Sequence, residues 1–166
     1  MKNNKLLYLV IVIVALAFIV VSSIHQNRLD TIINNLKSSG QIKELIYQEK
    51  FDNHYVVVYQ DDDPDEVKAI VIKKGLLATV VYPNTVSVIT KDSSRAQDID
   101  DKTYMAFSYY SEHPREYLPL ISALDDDVKD IAIKGQKMSK FNYLNQDYFV
   151  YLGNGEFELT DILIND

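Results

Sequence analysis

The feature that most constrains this chain is an uninterrupted apolar run near its N-terminus. Residues 6–21 read LLYLVIVIVALAFIVV, and Ser22, Ser23 and Ile24 extend the run to residue 24. As a helix, these nineteen positions span about 28 Å, close to the roughly 30 Å of a bilayer hydrocarbon core. The run therefore predicts a transmembrane helix, and residues 6–24 make the lipid bilayer the first partner that the sequence implies.

Two kinds of membrane segment fit this run. A cleavable signal peptide has an apolar core of about 7–15 residues and a small-residue cleavage site. The core here is longer, although Val21, Ser22 and Ser23 offer a weak site, and without any Cys a lipoprotein anchor is excluded. We therefore favour an uncleaved signal anchor over a cleaved signal peptide.

Charges around the run bear on its orientation. Lys2 and Lys5 precede it and favour a cytoplasmic N-terminus. Arg28, Lys37 and Lys43 follow it, so charge alone leaves the orientation open. Long domains, however, are translocated largely regardless of their charge. We expect a single-pass cell-membrane protein with a cytoplasmic N-terminus and an extracytoplasmic C-terminal domain.

The exported part is acidic and contains no cysteine. The chain has 17 basic and 24 acidic residues, and setting aside Lys2 and Lys5 leaves 15 basic residues, or a net charge of −9. Such a surface argues against binding nucleic acid through a basic patch. Without cysteine there is no disulfide and no thiolate metal site, so the domain must be stable through its core alone. We predict no cofactor.

A helical stripe follows the apolar run. Its apolar side chains fall at i, i+3, i+4 and i+7, at Leu29, Ile32, Ile33 and Leu36. Ser38, Ser39 and Gly40 end the pattern. We interpret the segment as a short stalk helix that continues the membrane helix, with packing onto its own domain as the ordinary role of such a stripe. The predicted division is 1–24 for tail and anchor, 25–40 for the stalk and 41–166 for the domain.

From residue 43 the pattern changes to period two, with β-branched and aromatic residues. Strands are predicted at 44–50, 54–60, 67–74, 77–82, 85–90, 103–110, 128–134, 146–152 and 156–164. Residues 91–102 are predicted as a loop. The short apolar run within 111–124 fits a helix or a strand, and because of the two prolines we favour a loop plus a short helical turn. The expected fold class is α+β: a transmembrane helix, a stalk helix and a mostly antiparallel β-rich domain.

One stretch of the sequence is echoed. Residues 65–73 read DEVKAIVIK and residues 126–134 read DDVKDIAIK, 61 residues further on. A duplicated sheet unit would produce this, and so would two unrelated strands built alike, with an acidic turn before apolar-in, lysine-out alternation. We favour two similar but unrelated strands.

The acidic turn before the first copy resembles half of a calcium loop. Asp61, Asp63 and Asp65 occupy positions 1, 3 and 5. Glu66 stands where the sharp-turn glycine is expected, and Ile72 where the bidentate acid is expected. The three aspartates are therefore candidates for weak calcium binding only, and a solvated turn that keeps the sheet edge soluble is the favoured reading.

No catalytic constellation is visible. There is no cysteine, no G-x-S-x-G elbow and no HExxH motif. A hydrolase would need His54 or His113 to meet a serine or two acids in one pocket. We therefore expect that the chain is not an enzyme, and a hydrolase is the least favoured alternative.

Tyrosine is abundant, with twelve residues and no tryptophan. Amphipathic rings often build protein interfaces, and they also suit half-buried strands. The candidate interaction face consists of Tyr104, Tyr109, Tyr110, Tyr148 and Tyr151. The core of a sheet is the alternative role for the same rings.

The overall plan resembles small, uncharacterised membrane-anchored exported proteins of low-GC Gram-positive bacteria. The resemblance rests on the head MKNNK, the long apolar run, AIVIKKG at 69–75 and FVYLGNGE at 149–156. It implies a location and no activity. The leading hypothesis is a membrane-tethered extracytoplasmic binding or accessory module for another envelope protein. The alternative is a divalent-cation-binding or sensing domain that uses the Asp clusters. Oligomeric state is not predicted.

Overall fold

The computed structural model describes residues 11–22, 28–75, 78–98, 101–112 and 115–165. Residues 11–22 are helical (α1), and the side chains of 11–21 are all exposed. Within these described segments, no helix has both the length and the apolar character that a membrane crossing requires. The transmembrane prediction for 6–24 lies partly outside them and stays a prediction, as does the division of the chain at 24 and 40.

Sheet A is an antiparallel meander built by the first half of the domain. Its strands are β1 (Glu44–Phe51), β2 (His54–Gln60), β3 (Glu66–Lys74), β4 (Thr79–Val81) and β5 (Val86–Ile89). β4 and β5 both pair with β3, at opposite ends of the same edge. They therefore form one strand that is interrupted between Val81 and Val86.

Sheet B comes from the second half of the domain. Its strands are β6 (Thr103–Glu112), β7 (Arg115–Ala123), β10 (Ser139–Tyr143), β11 (Gln146–Val150) and β12 (Gly153–Asn154). β7 is central, with β6 on one edge and β11 followed by β12 on the other. A small sheet C contains β8 (Asp130–Ile133), β9 (Gln136–Lys137) and β13 (Ile162–Asn165).

Sheets A and B pack face to face as a sandwich. Valines of β2, β3 and β5 meet Leu118 and Leu120 of β7 and Tyr148 of β11 in the main core. The other face of sheet B carries Ile121 and Phe149, which pack under sheet C. β3 and β7 are therefore covered on both faces, which explains why each reads as a nearly continuous apolar run.

Helix α2 (Leu29–Ser38) covers the outer face of sheet A. Its stripe packs over Val57, Tyr59 and Ile72, and Ile33 is buried there. The helix ends in a Schellman motif, in which the amides of Gly40 and Gln41 donate to the carbonyls of Lys37 and Leu36. The predicted stripe and its end are present, and the stripe belongs to the core of the domain.

The prediction of a loop plus a short helical turn for 111–124 was wrong, because Ser111 and Glu112 end β6 and Arg115–Ala123 form β7, the central strand of sheet B. Pro119 lacks the N–H that a central strand normally needs. Its carbonyl accepts from the Tyr151 amide, so this residue faces the β11–β12 edge. Pairing on that edge is interrupted between Val150 and Gly153, and the missing donor lies at this gap.

Most of the remaining predicted strands are present, with bounds that differ by a few residues at either end. The α+β class with mostly antiparallel sheets is confirmed. The strand predicted at 156–164 was wrong in part, because Leu159–Asp161 form a 3₁₀ turn before β13. The sequence interpretation also missed β10, which pairs with β11 across the turn at Leu144 and Asn145, both at positive φ.

The two echoed stretches lie in different sheets with different neighbours. β3 is central in sheet A, whereas β8 lies between β13 and β9 in sheet C. They share only the turn that precedes them. The Asp63 amide donates to Asp61 Oδ1, and the Asp127 amide donates to Asp125 Oδ1, each at 3.0 Å. Asx turns of this kind are what aspartates at turn starts commonly form.

Candidate functional site

A cleft of about 520 Å³ opens on the outer face of sheet A, beside the C-terminal end of α2. We call it the sheet A cleft. Its apolar and aromatic lining consists of Leu36, Ile42, Tyr59, Ile70, Val81, Tyr82 and Pro83. Gly40, Gln41 and Thr85 also line it, and Asp61, Asp62 and Asp63 complete the wall. Such a concave apolar surface with a few polar groups is typical of a binding site.

The cleft exists because α2 is too short to cover the whole outer face of sheet A. The helix ends at Ser38, and the chain then turns back through Gly40, which has a φ of +77°. Beyond that point the outward residues Tyr59 and Ile70, which belong to the same apolar cluster as the helix stripe, form the buried floor of the cleft. The far wall is the interruption between β4 and β5, where Pro83 removes a backbone donor.

The floor is held in place by its own contacts. Tyr59 is buried, and its hydroxyl forms a hydrogen bond with Thr85 on the far wall. Burial raises the pKa of the Tyr59 phenol, so this group stays neutral at physiological pH. The Tyr82 amide donates to the Val71 carbonyl at 2.9 Å, which fixes the wall to β3. The cleft is therefore built by residues from β2, β3 and β4, from the interruption before β5 and from the helix end.

An ion pair stiffens the acidic side of the cleft. The Asp61 carboxylate bonds the Lys68 ammonium, and Lys68 also lies 3.5 Å from Glu66 Oε2. The hydrogen bond from Lys68 holds the pKa of Asp61 below its ordinary value of 3.8. Glu66 in turn accepts from Ser87 Oγ at 2.6 Å and from Arg95 Nη2 at 2.9 Å. These bonds orient the turn relative to β3 and β5.

The calcium candidates Asp61, Asp63 and Asp65 are occupied by protein partners. Besides the Asx turn of Asp61, Asp63 Oδ1 accepts the Asp65 amide at 2.9 Å, and Ser93 Oγ donates to Asp65 Oδ2 at 3.3 Å. Across the described residues, no group of three or more His, Asp or Glu side chains is placed to hold a metal ion. Weak calcium binding at these aspartates stays a prediction that a titration tests.

Asp62 differs from its two neighbours. Its side chain is exposed, and it forms no hydrogen bond or ion pair with the other described residues. Asp61 is neutralised by Lys68, and Asp63 is used within the turn. Among the described residues that line the cleft, Asp62 therefore has a carboxylate without a hydrogen-bond or ion-pair partner.

The candidate tyrosine face is not one surface. Tyr110 and Tyr148 are buried in the core between sheets A and B, and Tyr104 packs against the same core. Tyr109 and Tyr151 pack on the opposite face of sheet B, under sheet C. These rings serve as sheet core, the alternative that the sequence left open.

His54 lies at one end of the sandwich, among residues from several strands. It is 8% exposed, and its Nε2 atom has no hydrogen-bond partner in the described part of the chain. The nearest acid is Glu116, with Oε2 3.9 Å from Nε2, and the rings of Tyr82 and Tyr110 pack beside it. No described serine joins this group, and His113 lies outside the described residues, so the hydrolase arrangement stays a prediction.

Sequence interpretation did not identify the sheet A cleft. Leu36 was assigned to a stripe and Tyr82 to a strand end, and nothing in the order of residues places them on one concavity. The only available signal was the break at Tyr82 and Pro83 beside an acidic turn. Comparisons with protein families, with curated proteins and with solved structures find no match.

Proposed function

We propose that this chain is a membrane-tethered extracytoplasmic binding or accessory module for another envelope protein, and that it binds through the sheet A cleft. The single observation that carries this proposal is the cleft: about 520 Å³ of concave surface with a buried apolar floor and an open mouth. Concave apolar surfaces with a few polar groups at the rim are where proteins commonly bind their partners.

The tether is supported by the apolar character of the N-terminal segment. The side chains of α1 that are large and hydrophobic are all exposed, from Val20 at 46% to Phe18 at 72%. An exposed apolar helix is costly in water and favourable in lipid. A tether would also raise the effective concentration of the cleft near membrane partners. The proposed extracytoplasmic location rests on Lys2 and Lys5 before the apolar run and on the translocation of long domains largely regardless of their charge.

Site-directed photocrosslinking in the native membrane tests the proposed binding site. A photoreactive residue at Gln41, which is exposed and lines the cleft, should give a discrete adduct. The matched control is the same residue at Asp127, which is exposed in the second acidic turn, away from the cleft. Adduct from Gln41 should disappear when Val81→Trp fills the cleft.

Two outcomes would count against the proposal. Equal adducts from Gln41 and Asp127 would mean unspecific proximity rather than binding in the cleft. An adduct that survives Val81→Trp would place the partner elsewhere on the domain. Alkaline extraction and external protease digestion test the tether separately: we expect a chain that resists extraction and a domain that is digested from outside the cell.

A further inference from the structure

The sheet A cleft also shows what kind of ligand it fits, and this inference rests on the proposed function. We infer that the occupant is an extended segment of the partner protein, in which an aliphatic side chain lies close to a Lys or Arg. The aliphatic side chain fills the cleft, and the cation pairs with Asp62.

The inference that the ligand is extended rests on β4, which lies beside the cleft. β4 pairs with β3 along one edge, and no described strand pairs with its other edge. Val81 of β4 is 37% exposed and lines the cleft. An extended segment added beside β4 would gain main-chain hydrogen bonds and place alternate side chains over the same face as Val81.

The inference that an aliphatic side chain of the ligand fills the cleft rests on the apolar character of the cleft floor. Tyr59 and Ile70 are largely buried at the base of the cleft, and Leu36 and Ile42 form the near wall. The Tyr59 hydroxyl is engaged with Thr85, so the floor offers few unsatisfied polar groups to a polar ligand. An aliphatic side chain that packs on such a surface is removed from water, which favours its binding.

The inference that the ligand carries a cation rests on the negative potential of the cleft. Asp62 is the lining carboxylate without a partner among the described residues. The C-terminal end of α2 lies on the cleft at Leu36 and Gly40, and a helix C-terminus carries partial negative charge. Lys37 in the last turn is exposed and opposes this field in part, but it does not line the cleft. Both sources of negative potential favour a ligand cation.

Selection from a displayed library of random decapeptides, on the full-length chain in detergent micelles, tests the inference. We expect the selected peptides to carry Lys or Arg within two residues of Val, Ile or Leu. Affinity for the strongest peptide should fall about tenfold in Asp62→Lys, because attraction becomes repulsion, and should weaken with added salt.

Asp127→Lys is the matched control. Asp127 belongs to an identical Asp triplet with the same Asx turn, but it lies outside the cleft. Equal loss of affinity in both variants would show a general charge effect and overturn the inference. Both positions are exposed, so thermal unfolding should confirm that neither variant alters the fold.

A second variant separates this inference from the proposed function. If the selected peptides lack basic residues and lose their binding in Val81→Trp, that result would support the cleft as the binding site and would overturn the inference that its ligand carries a Lys or Arg. Binding of every selected peptide that is unaffected by Val81→Trp would overturn the proposed site, and the ligand class with it. Basic aliphatic peptides lost in both Val81→Trp and Asp62→Lys would support both.

Discussion

The ring of Tyr117 lies directly against Gly153, so that a Cβ atom on residue 153 would come within 2.3 Å of Tyr117 Cζ. Tyr117 is buried, and its ring is held by Phe157 at 5.1 Å between centroids. We expect Gly153→Ala to lower the free energy of unfolding by about 1–3 kcal/mol, because the ring cannot move away. Chemical denaturation measures this.

The control for Gly153 is Gly135→Asn. Gly135 has a φ of +75° and open space where a side chain would lie, and asparagine tolerates this conformation. We expect a change within about 0.5 kcal/mol. If Gly153→Ala proved as stable as the unmodified chain, the packing of β12 against β7 would be different from that described.

Asp61→Asn should destabilise the domain in a pH-dependent manner. Removing the partner of Lys68 should cost roughly 0.5–1 kcal/mol near neutral pH. The Lys68 hydrogen bond holds the folded-state pKa of Asp61 below 3.8. The stabilisation is therefore present above 3.8 and is lost as the pH falls through the lowered folded-state pKa.

Denaturation of the two proteins at several pH values checks this. Their stability difference should shrink as the pH is lowered below 3.8. Asp62→Asn is the control, since Asp62 has no partner among the described residues, and it should change stability little at any pH. A difference between Asp61→Asn and the unmodified chain that stays constant down to strongly acidic pH would argue against the ion pair.

Ile33→Ala tests whether α2 belongs to the core. Ile33 is 4% exposed and packs over the outer face of sheet A, so its truncation should cost about 2–4 kcal/mol. Asn34→Ala, at the exposed next position, should have little effect. Hydrogen exchange should show faster exchange in α2 itself. An Ile33→Ala variant with unchanged stability would mean that the helix is a detached stalk.

Gln146→Glu should be severely destabilising at neutral pH. Gln146 is 2% exposed; its Oε1 accepts from the Lys91 amide and the Tyr148 hydroxyl, and its Nε2 donates to the Ala123 carbonyl at 3.0 Å. A carboxylate cannot make that donation and would face a carbonyl oxygen. We expect a loss of about 3 kcal/mol or more.

Acid should relieve the Gln146→Glu defect. Burial raises the pKa of an introduced carboxyl in the folded state, so its penalty appears only above the unfolded value of about 4.3. Below that pH the protonated group donates as the amide did. Gln136→Glu, at an exposed position, should be nearly neutral throughout. A penalty for Gln146→Glu that persists unchanged at pH 3 would contradict the hydrogen-bond assignment.

Strands with one buried face or a clear turn were predictable from the sequence. The prediction at 54–60 matches β2 in full, because turn residues bound a β-branched and aromatic run there on both sides. β7 was not predictable, because proline normally excludes a central strand. Pro119 lies opposite the gap between β11 and β12, where no strand needs a hydrogen bond from its backbone nitrogen. The position of this gap depends on tertiary structure and cannot be read from the sequence.

The site was less predictable than the fold. Acidic turn residues were correctly interpreted as turn-formers, because an Asx turn is local and needs only the aspartate and the amide two residues later. The sheet A cleft joins Leu36 to Tyr82, which are distant in sequence and meet only through packing on one sheet face. Periodicity carries no information about where a covering helix stops short.

The packing of α2 also limits the distance between the domain and α1. Only residues 23–28 separate α1 from α2, and bond lengths restrict the distance from Ser22 to Leu29 to about 25 Å. α2 adds about 15 Å before the cleft begins. With α1 in the bilayer, the mouth of the cleft would sample a shallow zone within about 40 Å of the lipid surface. Partners that lie farther than about 40 Å from the lipid surface would be out of reach, whereas the juxtamembrane segments of neighbouring membrane proteins would lie within this zone.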